Sequence, residues 1–303
     1  MRREHFDIVQ SHERVAGATV FRAGDGVHAS WLERWLPTLP AWRRALVRMS
    51  PYHRATLSRE RRMFEDLRLR AVIANSDFVA RDVATHFPGV TSRIRVIRNG
   101  VDCGRFHPGL GSEHRAAVRR TLGIEQGARV MLFLGSGFER KGLRTALRTL
   151  ASLSGDVHLL VVGRDRNTSR FQSLAKALGV ADRTHWMGTV QDPRPCLGAS
   201  DIAILPSLYD PMPNSVLEAM ACGLPVIASS FTGAVDLIRP LENGVLAHPT
   251  DQDAWDRGTA ELLTRDRLQA RSQAARATVE PWTLERMVDG WVGLYEELLT
   301  TCG

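Results

Sequence analysis

The sequence predicts an α/β protein made of two doubly wound, Rossmann-like domains, the first one incomplete. Three observations predict it. From about residue 128 onward, short continuous apolar runs alternate with segments of helical apolar spacing, which indicates a parallel sheet covered on both faces. The first hundred residues carry the same alternation with fewer strands. The chain has 303 residues, 44% hydrophobic and 24% charged, enough for two soluble domains of ordinary size.

The elements follow in order. Phe6–Gln10 reads as a strand, and a loop and a basic helical stretch run to about Arg70. Ala71–Ala74 is a buried strand, Asp77–His86 a helix and Arg95–Ile97 a strand, so about three strands precede the linker that starts at His107-Pro108-Gly109. Arg129–Leu134 opens the second domain. A helix over Lys141–Leu153 follows, with Leu143, Ala146, Leu147 and Leu150 on one face. His158–Gly163, His185–Gly188, Ile202–Leu205, Val226–Ala228 and Val245–Ala247 complete six strands, with a helix over Arg170–Leu178 among the intervening segments. The end, Thr283 to Leu299, reads as one amphipathic helix that Thr283 could cap. The expected domains are residues 1–110 together with the terminal helix 283–303, and residues 111–282.

Bulk features exclude several classes. No apolar run approaches the roughly 20 residues of a membrane span. The start runs almost directly into a strand, so no signal peptide is expected. Cys103, Cys196, Cys222 and Cys302 lie far apart without metal-ligand spacing, which suggests reduced thiols in a cytoplasmic protein and no bound metal. The net charge of +7 is uneven: residues 31–70 are rich in arginine, interleaved with Trp31, Trp35, Trp42 and Tyr52. Such a segment suits an anionic membrane surface or a phosphorylated substrate, and equally a solvated helix face. No nucleic-acid-binding motif accompanies the charge, so nucleic acid is not an expected partner.

Three constellations carry chemistry. The first runs from Tyr209-Asp210-Pro211-Met212-Pro213-Asn214-Ser215 through Glu218 to Cys222-Gly223-Leu224-Pro225. It sits after the strand Ile202–Leu205, at a carboxyl end where open α/β sheets bind ligands. Pro213 suits the first turn of a helix, whose N-terminus offers N–H groups and partial positive charge to a diphosphate. Glu218 could accept hydrogen bonds from two ribose hydroxyls, with Asp210 near the sugar. The second is Gly135-Ser136-Gly137-Phe138-Glu139-Arg140-Lys141-Gly142. Its glycines admit a close backbone approach, and Arg140 and Lys141 bring fixed positive charge for the same diphosphate. The third is His12, just after the first strand, with Asp25 between two glycines. Either could orient a hydroxyl, or be structural.

Together these residues resemble a family 4 glycosyltransferase of the GT-B fold, in which two Rossmann-like domains face a cleft. The stretches that carry the resemblance are the Lys141 loop, Asp210 to Glu218, Ala219-Met220-Ala221-Cys222-Gly223-Leu224-Pro225-Val226, Val72-Ile73-Ala74-Asn75-Ser76, Val96 to Asp102, and Arg105 to Pro108. Phe21-Arg22-Ala23-Gly24-Asp25 and Gly135-Ser136-Gly137-Phe138 are most similar to the lipopolysaccharide core glucosyltransferase I group.

The resemblance implies a retaining transfer of a hexose from a nucleotide-diphosphate sugar, a UDP-hexose, without a metal or other cofactor. The acceptor would be a lipid-linked saccharide of lipopolysaccharide or another cell-surface polysaccharide, met at the inner membrane surface through residues 31–70. Candidate donor-binding residues are Ser136, Arg140, Lys141, Asp210, Asn214, Ser215 and Glu218; candidate catalytic residues are Asp25, His12 and Asp210. Asp210 matches the first glutamate of the family's Glu-x7-Glu motif, shorter by one methylene. Family members also carry a strand and a glycine-rich loop before the position matching Phe6, which this chain does not have. Two other readings share these residues: a remnant that binds nucleotide sugar without turnover, and a nucleotide-sugar epimerase on the same fold.

Overall fold

The computed structural model describes residues 6–153 and 155–300. The chain divides into two compact units. One comprises residues up to Gly100, Asp210–Met212 and the chain from Leu284 onward; the other comprises Val101–Tyr209 and Pro213–Thr283.

The first unit holds a four-stranded, all-parallel sheet, β1 (Gln10–Ser11), β2 (Val20–Arg22), β3 (Ala71–Ala74) and β4 (Ile94–Val96), in that spatial order. The strand expected at Phe6–Gln10 therefore shrinks to its last residue and moves on by one. The Val9 carbonyl accepts from the N–H groups of Thr19 and Val20, its own N–H goes to the Thr19 hydroxyl rather than to a strand partner, and Phe6 and Val9 stay exposed. The count of three strands is also corrected. The unpredicted β2 lies inside the sheet, with Val20 and Phe21 buried. It is three residues long and leads into Ala23-Gly24-Asp25-Gly26, which reads locally as loop.

The basic stretch forms three helices, α1 (His28–Trp35), α2 (Ala41–Met49) and α3 (Pro51–Phe64). Buried Glu60 on α3 accepts from the backbone N–H of His28 at 2.8 Å and from Arg14 Nε at 2.9 Å, so a carboxylate closes the start of α1. Helix α4 (Asp77–His86) begins as expected, its N-cap Ser76 accepting from the Val79 N–H. The terminal helix α13 (Leu284–Thr300) lays Leu294 and Leu298 against Val20, Ala71 and Ile73.

The second unit holds six parallel strands: β5 (Arg129–Leu134), β6 (Val157–Val162), β7 (Thr184–Gly188), β8 (Ile202–Leu205), β9 (Val226–Ser229) and β10 (Gly244–Ala247). Their order is β10-β9-β8-β5-β6-β7, so the winding reverses between β8 and β5. Helices α5 (Leu110–Thr121), α6 (Phe138–Lys141), α7 (Leu143–Ser152), α8 (Thr168–Ala177), α9 (Arg194–Ala199), α10 (Asn214–Ala221), α11 (Gln252–Leu262) and α12 (Arg265–Val279) cover it. Met131, Phe133, Leu159, Val161, Ile202 and Ile204 point into one core with Phe138, Leu147 and Trp255.

The single helix expected over Lys141–Leu153 is two. Gly142 separates them with φ of +79°, and a Cβ there would lie 2.1 Å from the Pro206 carbonyl oxygen. Only glycine accommodates both the left-handed backbone and that approach. At the opposite, amino-terminal edge of the sheet, Asp201 is buried. It accepts from Arg115 at 2.6 Å, from Arg119 at 2.9 Å and from the Val130 N–H at 2.7 Å. Arg119 is fully buried and also donates to the carbonyls of Ala199, Gln126 and Ala128.

Candidate functional site

In the second unit, the reversal between β8 and β5 sends two loops out of the sheet side by side, the place where α/β sheets open a ligand crevice. The loop after β5 carries Ser136, Arg140 and Lys141; the loop after β8 leads through Tyr209 to α10. They are tied to each other. Leu208 N–H donates to the Arg140 carbonyl at 3.0 Å, Arg140 Nη1 donates to the Tyr209 carbonyl at 3.4 Å, and Gly142 abuts Pro206. The Lys141 stem packs on Gly135, where a Cβ would meet its methylenes at 3.3 to 3.6 Å. Ser136 Oγ accepts from the Arg164 N–H at 3.2 Å, and Asp165 accepts from the Phe138 N–H at 2.7 Å, which fixes the turn from its other side.

Helix α10 begins at Asn214, so Pro213 precedes its first turn rather than lying in it. Pro213 is its N-cap, and Asn214 and Ser215 are its first two residues, with no side-chain cap across them. This end therefore presents backbone N–H groups and the positive end of the helix dipole. Glu218 lies one turn in and is half-buried. Burial pushes its carboxyl up from the usual 4.5 to about 7, with Arg105 pulling the other way. A carboxyl held this way is restored to the charged form by donors placed against it, such as the two hydroxyls of a ribose. Cys222, at the far end of α10, is pushed up to about 12 by burial, then by Glu218, and stays a thiol. Cys103, Cys196 and Cys222 are free thiols, and Cys302 lies outside the described residues.

The other candidates belong to the first unit, again at carboxyl ends. His12 follows β1, its ring edge-on to Trp291 of α13 at 6.4 Å and in hydrogen-bond range of Gln10. Asp25 follows β2 and is exposed. Asp210 is buried, and its segment is held at the end of β3, where Ser76 Oγ donates to the Pro211 carbonyl at 2.8 Å. Thus the structure brings Ser136, Arg140, Lys141, Asn214, Ser215 and Glu218 to one edge of the second sheet. It brings His12, Asp25 and Asp210 to the carboxyl edge of the first.

Sequence reasoning did not single out four residues at that first edge. Arg22, at the end of β2, donates to Asn99 Oδ1 at 2.9 Å and lies over the Trp291 ring at 5.5 Å. Burial lowers its pKa, and Asp25 counteracts this. Asn75 is buried with no partner for Oδ1, and Trp291 Nε1 is likewise buried and unsatisfied. Only their places at the end of β2, after β3 and β4, or on the covering helix could have marked them. Among the described residues no cluster of three metal-ligating side chains occurs, and no helix is long and apolar enough to cross a membrane.

Residues 114–278, more than half the chain, match the family model described as glycosyl transferases group 1. The chain belongs to this glycosyltransferase family. Residues 1–105 of this glycosyltransferase-family chain match a second model, glycosyltransferase family 4. It is 28% identical over 326 residues to a D-inositol 3-phosphate glycosyltransferase of Salinispora arenicola, covering 99% of this chain and 70% of that protein. It is 27% identical over 228 residues to the lipopolysaccharide glucosyltransferase WaaG of Escherichia coli K12, covering 74% of this chain and 61% of that protein. The crystal structure of WaaG superposes with a TM-score of 0.76 at 24% identity, over 91% of this chain and 74% of that one. Anabaena HepE, solved with UDP-glucose, does so with 0.70 at 20% identity, over 93% and 72%. The fold is therefore GT-B, as the resemblance implies.

Proposed function

We propose that this chain is a retaining hexosyltransferase that uses a nucleotide-diphosphate sugar, a UDP-hexose, and transfers to a lipid-linked saccharide of the cell envelope. The observation that carries the reading is the locked pair of loops after β5 and β8. It sets Arg140 and Lys141 beside the uncapped start of α10, with the raised carboxyl of Glu218 one turn in. The two cationic side chains and the helix start neutralise charge on the departing diphosphate, so the reaction is assigned no metal. Glu218 holds the ribose. Asp210 contacts a donor-sugar hydroxyl. A diphosphate oxygen takes the acceptor's proton on the face it leaves, while the acceptor oxygen bonds to the anomeric carbon and the bond to the diphosphate breaks. Asp25 and His12 orient the acceptor. The sequence similarity to WaaG supports the envelope acceptor, and HepE's bound UDP-glucose supports the donor class.

Incubation with UDP-glucose and separation of products tests this. Transfer, or slow hydrolysis without acceptor, is expected, and Glu218→Ala and Lys141→Ala should abolish it. Full activity in both variants refutes the site; an epimerised nucleotide sugar as the product, or UDP binding with no turnover, selects one of the other two readings.

A membrane-facing role for residues 31–70 rests on helix α2. Trp42, Leu46 and Met49 are 61%, 60% and 71% exposed and share one face, and Tyr52 adjoins them. Arg43, Arg44 and Arg48 flank that face, with Arg43 over the Trp42 ring at 5.0 Å. Sedimentation with anionic vesicles should be salt-sensitive and lost in Trp42→Ser/Leu46→Ser. Equal binding to neutral vesicles would refute docking through charge.

A further inference from the structure

The second unit has a cavity at the edge opposite the candidate donor loops. Its volume is about 400 Å³, within the range of small-molecule sites. Arg129 begins β5 and Asp201 immediately precedes β8, so the cavity opens at the amino-terminal ends of the strands whose carboxyl ends lead to Arg140 and Glu218. Its charged lining is Arg115, Arg129, Arg265 and Asp201. That is three positive charges and one negative, a surplus of two. Arg119, on the same carboxylate, adds another.

The arginines are not equivalent. Arg115 and Arg119 are committed to Asp201 and to backbone carbonyls. Arg265, on the exposed rim, donates to the Gly127 carbonyl. Arg129 is different. Its side chain is only 16% exposed, yet it makes no side-chain hydrogen bond among the described residues and comes no nearer to Asp201 than 3.8 Å. Five donors on a largely buried guanidinium ordinarily find acceptors. Asp201 satisfies little of this need, because three of its roughly four acceptor positions already take Arg115, Arg119 and the Val130 N–H and its nearest oxygen is at ion-pair distance only. Most of its donors are therefore left for what occupies the cavity. A planar guanidinium fork fits a phosphate best. The lining also includes Ser272 and Gln269, and Leu110, Leu197 and Leu268 give it apolar surface for the remainder of a ligand.

We propose that this cavity binds a phosphorylated small molecule, with Arg129 as its anchor, at a site separate from the donor loops. Calorimetric titration with inorganic pyrophosphate tests it on the full chain. Wild type should show two classes of site. Arg140→Ala/Lys141→Ala should remove one, and Arg129→Gln should weaken the other at least tenfold while the melting profile stays cooperative. Arg265→Gln, on the exposed rim, should weaken that same class several-fold without risk to folding. An exposed control on α7, Arg148→Gln, should change neither. The proposal is overturned if Arg129→Gln and Arg265→Gln leave the isotherm unchanged, or if Arg148→Gln weakens binding as much as they do. Failure at the donor loops would remove the other class only, so the two readings fail separately.

Discussion

Glu218→Gln should make the ligand-free protein more stable at neutral pH and a poorer nucleotide binder. Burial raises the Glu218 carboxyl from 4.5 to about 7. Between these values the folded protein holds a proton there that the unfolded chain has released. Stability therefore falls as pH rises through this window and is level above it. The 2.5-unit gap corresponds to about 3 kcal/mol at 1.36 kcal/mol per unit, and solvent access to a half-buried group brings this to about 2 kcal/mol. Glutamine matches the neutral acid in shape and never ionises, so the variant escapes the loss.

Urea unfolding should thus give nearly equal stabilities at pH 4.5 and an advantage of about 2 kcal/mol for the variant at pH 8, roughly 5 °C in melting temperature. Binding should move the other way. A ribose diol donating to the carboxylate favours its ionised form, so UDP binding near pH 6.5 should release a fraction of a proton. This is measurable as calorimetric heats that depend on buffer ionisation. The variant should release none and bind about ten- to a hundredfold more weakly, the worth of charge-assisted hydrogen bonds. A stability difference that is the same at both pH values, or a variant less stable at pH 8, would refute the reasoning.

Other expectations follow from packing. Gly142→Ala meets the Pro206 carbonyl oxygen at 2.1 Å with φ of +79°; it should cost more than about 3 kcal/mol in urea unfolding and abolish UDP binding with it. Asp201→Ala leaves fully buried Arg119 without its carboxylate, and a loss of about 3–5 kcal/mol should appear in thermal or urea unfolding. Ser76→Ala removes both the cap of α4 and the tie to Pro211. About 1 kcal/mol of stability should go, and turnover of UDP-glucose should fall while UDP affinity in calorimetry stays the same.

The second sheet was legible because each strand is a continuous apolar run buried on both faces. Ile202–Leu205 needs no tertiary information to be recognised. The candidate donor residues gather at one sheet edge for a related reason: glycines, Arg140, Lys141 and Glu218 lie within two short loops and one helical turn. What escaped was assembled over distance. Strand β2 is too short to show periodicity and is a strand only because β1 and β3 pair with it on either side. Arg22, Asn99 and Trp291 meet through two strand ends and the last helix. Arg129 reads as an ordinary strand start, and its unused donors appear only once Asp201 is seen to be taken up mainly by Arg115, Arg119 and the Val130 N–H.

Asp210 and Glu218 illustrate the same division inside one motif. Eight positions apart, they are anchored by different units: the Asp210 segment by Ser76 at the end of β3, and Glu218 by helix α10. A motif read as one constellation is thus two carboxylates with independent supports. Under the proposed function their perturbations should separate. Changes at Glu218 act through the nucleotide, and so on affinity and its pH dependence. Changes at Asp210 or at its Ser76 tether act on the sugar, and so on rate at saturating donor. The single methylene lost at Asp210 bears only on the second, so it leaves nucleotide binding intact.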